Sequence, residues 1–352
     1  MGMSARYAAK NCKTVLGDTG ILNTRFWTRH CFDPYDNCEF NCVYCNTASR
    51  KLCGSKNLAV PVFAKVNAPQ LLTKELTHLK KKGVVNIGLA MDPYQPAEKK
   101  YRLTQQILKI LKDNNVPFAI GTKSDLVLRD LNLIADASKK TRCSVSVTIT
   151  TLDEKLAKIL EPNAPSPKRR LTVLNKLASA GIQTGVWITP IIPYITDTDE
   201  NLERIIKASV ENGAMYVLGG ALDMRNPRGF YSFLKQRFPS LILKYDKLYK
   251  VGEKRYTYYP KESYLYGLYK RFIAICKKYQ VKSYMPHFHT RKQGMLFYLR
   301  NYLGTNSESF HELLPILNYL PPTQELLQTV QLRCGNWRLS KNFLKLIRYF
   351  PH

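Results

Sequence analysis

Three cysteines within eight residues are the strongest chemical signal in this sequence. Cys38, Cys42 and Cys45 have the spacing C-x3-C-x2-C in the stretch "FDPYDNCEFNCVYCNTASR", residues 32–50. Thiolates are soft ligands that select zinc, copper(I) or iron–sulfur clusters. A structural zinc site takes four ligands, whereas a 4Fe-4S cluster held by three thiolates leaves one iron open to an exchangeable ligand. The loop predicts either such a cluster or a zinc knuckle completed by Cys31 or Cys53.

Alternating strands and helices must position this loop. Apolar runs of strand length alternate with amphipathic stretches of helical period. The predicted strands cover residues 25–32, 84–90, 117–122, 143–150, 184–192 and 215–222, and the predicted helices cover residues 69–82, 101–114, 126–140, 168–180 and 199–212. Apolar strands alternating with helices indicate a parallel sheet.

Six such units favour an α/β fold, a partial (β/α)6 barrel of TIM type, over an open doubly wound sheet. In both architectures the loops after the strands carry the chemistry, and the cysteine loop follows the first strand. We divide the chain into an N-terminal segment, residues 1–24, the barrel, residues 25–225, and a basic, mostly helical C-terminal region, residues 226–352. The last region is rich in tyrosine and lysine and contains a long helix predicted over residues 262–279.

Composition restricts the class of protein. The chain has 352 residues, 45% of them hydrophobic, which is enough to bury a large core. Nine unevenly spaced cysteines in so long a chain do not resemble a secreted disulfide framework. No apolar run has the length of a membrane span, and the N-terminus lacks the apolar region of a signal peptide. We therefore expect a cytoplasmic protein without membrane segments.

The net charge of +28 predicts attraction to polyanions. Residues 230–352 contain 21 basic and 6 acidic side chains, and eight tyrosines alternate with eight basic residues between Lys244 and Arg271. Aromatic and basic side chains together are typical of surfaces that bind single-stranded nucleic acid. Helical spacing of the leucines in the same segment indicates that several of these tyrosines are packed instead.

The cysteine motif and its neighbours carry a family resemblance. C-x3-C-x2-C after the first strand, with Tyr44 before the third cysteine, resembles the signature of radical S-adenosylmethionine (SAM) enzymes. The stretches "MDPYQPAEKKYRLT", "GTKSDLVLRDL", "VSVTITTLDEKLAKILEPNAPSPKRRL" and "GVWITPIIP" are similar to the spore photoproduct lyase-like branch. The resemblance covers residues 25–221 and does not extend to the C-terminal region.

This resemblance implies a mechanism and its cofactors. A 4Fe-4S cluster on Cys38, Cys42 and Cys45 would bind SAM, and one electron from a flavodoxin-type or ferredoxin-type donor would cleave it. The 5'-deoxyadenosyl radical would then abstract hydrogen from a substrate. Further residues are expected to contact the cofactor, namely Tyr44, Ala90, Lys123, Ser146, Thr148 and Thr189, with Lys123 pairing with the SAM carboxylate.

Asp92 and Tyr94 are the candidate catalytic residues because they lie in the loop after the second strand, where they could meet a substrate. An Asp-Pro turn explains Asp92 equally well. Glu161, at the start of "EPNAPSP", could contact cofactor or substrate or cap the next helix.

Two departures from spore photoproduct lyases argue against repair of thymine dimers. Asn46 stands where those enzymes have a tyrosine. Those enzymes also have a hydrogen-donating cysteine in the loop after the second strand, whereas residues 89–91 of this chain contain no cysteine. We expect modification or repair of nucleic acid or of a nucleotide. The alternatives are radical modification of a peptide, metabolite or natural product, and, in another class, a zinc-stabilised nucleic-acid-binding protein without catalysis.

Overall fold

The computed structural model describes residues 7–16, 18–23, 28–45, 61–78, 83–225, 227–250, 258–283 and 285. Its strands are β1 Tyr7–Lys10, β2 Asp18–Asn23, β3 Thr28–Phe32, β4 Tyr35–Asp36, β5 Val62–Lys65, β6 Val85–Ile87, β7 Phe118–Thr122, β8 Cys143–Thr148, β9 Gln183–Ile191 and β10 Tyr216–Ala221. Its α-helices are α1 Ala68–His78, α2 Ala97–Tyr101, α3 Leu103–Asp113, α4 Leu131–Lys140, α5 Glu154–Leu160, α6 Pro167–Ser179, α7 Asp199–Glu211, α8 Pro227–Arg237, α9 Ile242–Tyr249 and α10 Glu262–Lys278.

The main sheet has the order β10-β9-β8-β7-β6-β3-β2. Strands β3, β6, β7, β8, β9 and β10 pair in parallel, and β2 adds antiparallel to β3 at one edge. Six parallel strands connected by helices confirm the predicted partial barrel. The carboxyl ends of all six strands lie at one end of the sheet, so the loops that follow them are neighbours there.

The two faces of the sheet differ in the size and polarity of their side chains. On β8, Val145 and Val147 alternate with Ser144 and Ser146, and all four are buried. The valine face belongs to the apolar core that the helices cover, since side chains alternate along a strand. The serine face is the inner face of the partial barrel.

Glycines on the inner face make room for two aromatic rings. A Cβ on Gly121 of β7 would lie 2.3 Å from the ring of Trp187, and one on Gly185 of β9 would lie 2.2 Å from the ring of Tyr216. Both contacts are far below van der Waals distance. The inner face is therefore filled by large rings that pack over residues without side chains.

Polar caps define where several helices begin. The side chains of Asp153, Ser166 and Thr198 accept hydrogen bonds from the first backbone N–H groups of α5, α6 and α7, respectively. Each capping residue lies shortly after a strand or helix of the barrel. These caps fix the directions in which the chain leaves the strand-end loops.

A small second sheet of order β1-β5-β4 frames the cysteine loop. Strand β4 directly precedes the loop, and β5 follows it in the chain and pairs antiparallel with β4 through Tyr35 and Ala64. The sequence does not reveal this sheet, because its strands have two to four residues and no measurable periodicity. It ties the N-terminal segment to the cysteine loop.

Most predicted elements are present with boundaries shifted by a few residues. The stretch 126–140 is divided into a 3-10 helix, Asp125–Asp130, and α4. Helices α2 and α5 are absent from the prediction, and α8 and α9 lie in the region that is predicted only as mostly helical. Helix α10 matches the predicted long helix, and residues 286–352 lie outside the described part. The proposed boundaries at residues 24 and 225 stay predictions. No helix among the described residues combines the length and the apolar character needed to cross a bilayer.

Candidate active site

The cysteine loop lies at the carboxyl end of β3 in a partly buried position. Cys42 is buried, and Cys38 and Cys45 are half-buried. Asn37 and Asn41 adopt left-handed backbone conformations with φ of 68° and 50°, which asparagine tolerates better than most residues. These two turns bend the chain tightly enough to place three thiols in one short loop.

Burial raises the pKa of Cys42 to about 11 and also raises the pKa of Cys38. Both thiols are therefore neutral at pH 7 without a metal. Iron binds the thiolate, so loading the loop would release these protons. The donor set of three thiols fits an iron–sulfur cluster.

The zinc alternative receives no support from the described residues. No three Cys, His, Asp or Glu side chains among them converge as ligands of a single metal ion. Cys31 is not part of such a group, and Cys53 lies outside the described residues. Thiolates of a 4Fe-4S cluster bind different iron atoms and need not converge on one point.

A buried ion pair anchors the cysteine loop. The hydroxyl of Tyr44 donates to the carboxylate of Glu161, whose other oxygen lies 2.5 Å from Nη2 of Arg170. Thr150 also donates to Glu161 at 3.2 Å. Glu161 and Arg170 are each only 1% exposed. Burial opposes ionisation of Glu161, but Arg170 and Lys123 outweigh it and lower the pKa of Glu161.

Backbone contacts strengthen this anchor. Val43 N–H donates to the carbonyl of Leu160 at 2.9 Å, and Asn163 donates to the carbonyl of Glu39 at 2.9 Å. Arg170 in turn donates to the carbonyls of Thr148 at 3.0 Å and Pro165 at 2.8 Å. The loop between Cys38 and Cys45 is thus held against the segment that connects α5 to α6.

Lys123 directly follows β7 and reaches the same group. Its ammonium lies 5.8 Å from the centroid of the Tyr44 ring. Burial would lower the pKa of Lys123, but Cys42 and Glu161 outweigh burial, and its pKa is raised. A charged ammonium beside the cysteine loop can bind the carboxylate of a ligand.

Asp92 connects two strand-end loops. Its carboxylate accepts hydrogen bonds from Thr122 Oγ1 at 2.7 Å, from Lys123 N at 2.6 Å and from Tyr94 N at 2.9 Å. Burial raises the pKa of Asp92 despite these bonds. The carboxylate therefore positions the backbone of Lys123, and its direct role in catalysis stays a prediction.

Tyr94 is fully buried, and its hydroxyl donates to Asp130 at 3.1 Å. Asp130 also pairs with Arg129 at 2.7 Å, and Arg129 pairs with Glu98 at 2.6 Å. This network lies beneath the loop after β6. Contact of the Tyr94 hydroxyl with a substrate would require it to leave Asp130, and a catalytic role for Tyr94 stays a prediction.

The remaining candidates differ in accessibility. Ser146 and Tyr216 share a hydrogen bond of 2.7 Å on the inner face, and Thr148 is buried above them. Thr189 is half-buried near the end of β9. Ala90 is exposed, and its N–H donates to Asp33 at 3.3 Å. Cofactor contacts of Tyr44, Ala90, Lys123, Ser146, Thr148 and Thr189 remain predictions.

Sequence patterns alone do not single out Arg170 and Asp33. Arg170 lies in "PKRRL", where the basic run suggests the solvated first turn of a helix. The Ser-Pro start of that helix is the available signal, since it fixes which residue turns inward. Asp33 precedes a proline, and an Asp-Pro pair is typical of an ordinary turn. The sequence therefore does not predict the hydrogen bonds that the Asp33 side chain accepts from the loop after β6.

The motif, the six-stranded partial barrel and the half-buried lysine beside the thiols together define a radical SAM enzyme. The chain belongs to the radical SAM superfamily, whose family model matches residues 33–208. This superfamily uses a 4Fe-4S cluster and SAM.

Similar sequences occur in bacteria and archaea. The chain is 30% identical over 260 residues to an uncharacterized protein of Mycobacterium tuberculosis, covering 72% of this chain and 75% of that protein. An uncharacterized protein of Methanocaldococcus jannaschii is 32% identical over 214 residues, covering 60% of this chain and 77% of that protein.

The fold is similar to that of spore photoproduct lyase. The structure of that enzyme complexed with dinucleoside spore photoproduct aligns with a TM-score of 0.57 at 15% identity, covering 77% of this chain and 78% of the other. At this identity the likeness concerns the fold.

Proposed function

We propose that this radical SAM enzyme modifies or repairs nucleic acid or a nucleotide, with Cys38, Cys42 and Cys45 holding the cluster. The observation that carries the proposal is the cysteine loop, anchored by Glu161 and Arg170 beside the ammonium of Lys123. A reduced 4Fe-4S cluster held by these three thiolates would supply the electron for reductive cleavage of SAM and so the means of hydrogen abstraction from the substrate. A small flavodoxin-type or ferredoxin-type protein is the proposed electron donor.

In this proposal, residues of the chain itself would bind SAM and orient it. Lys123 would pair with the SAM carboxylate, and Asp92 keeps the backbone of Lys123 in place through its hydrogen bond. Tyr44 offers its ring at the cluster loop, while Glu161 holds the hydroxyl of that ring. The buried rings of Trp187 and Tyr216 close the inner face below, which keeps water away from a reactive radical.

Charge and the structural neighbour support the substrate class. The net charge of +28 favours a polyanionic substrate. Spore photoproduct lyase, which shares the fold, is complexed with a dinucleoside in its structure. A peptide or small-metabolite substrate would leave the charge without a role.

Anaerobic reconstitution tests the chemistry. The wild-type chain should bind about four iron atoms, absorb visible light and form 5'-deoxyadenosine from SAM on reduction. Cys42→Ala should lose the iron and the product, whereas Cys143→Ala, a buried cysteine on β8, should keep both. A colourless protein that binds zinc and forms no 5'-deoxyadenosine would contradict the proposal.

A further inference from the structure

Tyr194 stands out in the loop that follows β9. It is 41% exposed and has a left-handed backbone with φ of 62°. Left-handed backbone conformations are uncommon for bulky residues, and such strained conformations cluster at functional sites. The loop lies at the carboxyl end of the strands, the same end as the cysteine loop.

The loop that carries Tyr194 is fixed in place. Ile192 N–H donates to Thr196 Oγ1 at 2.8 Å, and Thr196 N–H donates back to the carbonyl of Ile192 at 2.9 Å. The hydroxyl of Tyr245 donates to the carbonyl of Pro193 at 2.7 Å. Tyr194 is therefore presented by an ordered turn, which reduces the entropy lost when a ligand binds.

Other aromatic rings and one cation hold the Tyr194 ring. Tyr245 contacts it edge-on, with centroids 6.0 Å apart at 70°, and Tyr264 contacts it at 6.2 Å. The ammonium of Lys244 lies 5.5 Å from the ring centroid and forms no salt bridge with a described residue. A held aromatic ring beside an unneutralised cation is the combination that stacks a base and attracts its phosphate.

This group is continuous with the cysteine loop. Ile192 and Tyr245 belong to one apolar cluster with Cys42 and Tyr44, and Ile195 packs against that cluster. The surrounding helices are basic, with 12 Lys and Arg and 2 acidic residues in residues 227–250 and 258–283. A strand stacked on Tyr194 would thus lie beside the site where the radical forms.

We propose that Tyr194, with Lys244, is a stacking platform for one base of a single-stranded nucleic acid substrate at the mouth of the barrel. The inference rests on the proposed function and makes its substrate class specific. It assigns the recognition to stacking and phosphate pairing, which tolerate any base.

Two substitutions at Tyr194 distinguish the effect of losing the aromatic ring from the effect of disturbing the backbone turn. Tyr194→Asn removes the ring and suits the left-handed backbone, while Tyr194→Phe keeps the ring. Tyr266→Asn is the matched control, because Tyr266 is 37% exposed on α10 and lies two residues beyond Tyr264, on a different side of that helix. Unfolding midpoints of all variants show whether each chain folds.

Fluorescence anisotropy measures binding of a labelled oligothymidylate to the reconstituted full chain at several salt concentrations. Tyr194→Asn should weaken binding by about 5- to 150-fold, the effect of one stacked base, without changing the salt dependence. Tyr194→Phe and Tyr266→Asn should bind as the wild type does. Lys244→Ala should lower the slope of log K against log salt by about 1.

Polyglutamate serves as a polyanion without bases. Tyr194→Asn should leave its binding unchanged, because no ring is stacked. If Tyr194→Asn bound oligothymidylate as tightly as the wild type does, the stacking platform would be wrong, but the nucleic-acid substrate class would not be contradicted. A wild-type chain that forms 5'-deoxyadenosine but binds oligothymidylate no better than polyglutamate would overturn both the platform and the substrate class.

Discussion

At the scale of single residues, Arg170 shows how a charge can be placed inside this protein. Its guanidinium is 1% exposed and is satisfied by Glu161 and by two backbone carbonyls. Breaking such a pair leaves the partner charge buried and unpaired, which costs far more than breaking a surface pair.

Substitution of Arg170 by Gln is expected to lower the free energy of unfolding by about 3–5 kcal/mol. The adjacent Arg169 is the matched control, because its side chain is 63% exposed in a surface pair with Asp125. Arg169→Gln should cost less than about 1 kcal/mol. Urea unfolding of the metal-free chains measures both, and equal losses would show that the buried pair does not anchor the loop.

Lys123→Gln is expected to weaken SAM binding by about 30-fold or more, because the ligand carboxylate loses its charged partner. The iron content should not change, since the thiols are untouched. Equilibrium dialysis with labelled SAM on the reconstituted chain measures the affinity. Lys139→Gln, at an exposed position on α4, is the control, and an unchanged affinity in Lys123→Gln would remove the proposed role.

Asp33 predicts a pH dependence of stability. Burial raises its pKa to about 6 from 3.8, against the backbone hydrogen bonds from Met91 and Ala90. The folded chain therefore holds this proton more tightly than the unfolded chain. Its contribution to stability is present below pH 3.8 and is lost as the pH rises through 6, by at most about 3 kcal/mol.

Asp33→Asn should remove this pH dependence, so the free energy of unfolding of the wild type minus that of the variant should decrease as the pH rises from about 4 to about 6.

Asp36 should give the stability a pH dependence of the opposite sign. Burial raises its pKa, but hydrogen bonds from Lys10 and Lys65 outweigh burial and lower it. The stability from Asp36 is present above its ordinary pKa and is lost as the pH falls. Urea midpoints against pH test both, and parallel curves would contradict the assignment.

At the scale of elements, the inner face of the sheet depends on residues without side chains. Gly121→Ala would place a Cβ 2.3 Å from the Trp187 ring, and the resulting overpacking is expected to cost about 1–3 kcal/mol of unfolding free energy. A Cβ added to Gly267 of α10 would meet no other atom within 4 Å. Gly267→Ala should instead stabilise the chain by about 0.5–1 kcal/mol, because alanine favours the helix.

Thermal unfolding of the two variants measures this contrast. If Gly121→Ala did not change the free energy of unfolding, the Trp187 ring would be free to move, and the inner face of the sheet would not be tightly packed. Trp187→Phe combined with Gly121→Ala should recover part of the loss, since the smaller ring leaves space for the added methyl group.

At the scale of the whole molecule, the sequence predicts what depends on local spacing and period. The cysteine motif, the six parallel strands and helix α10 follow from such patterns. The pairing of Arg170 with Glu161 does not, because a basic run at a helix start has the same pattern whether it faces water or the core. The β1-β5-β4 sheet also escapes prediction, since its pairing joins short segments that are distant in the chain.

The small sheet has a consequence for how the chain can vary. Because β4 and β5 hydrogen-bond to each other, the polypeptide that enters the cysteine loop and the polypeptide that returns from it are fastened together at their bases. Residues inserted after Cys45 and before β5 would add only a small entropic cost, because the paired strands keep the two ends of that connection together. A protein engineer can therefore add peptide to that connection while the pairing of β4 with β5 holds the start of the cysteine loop in place.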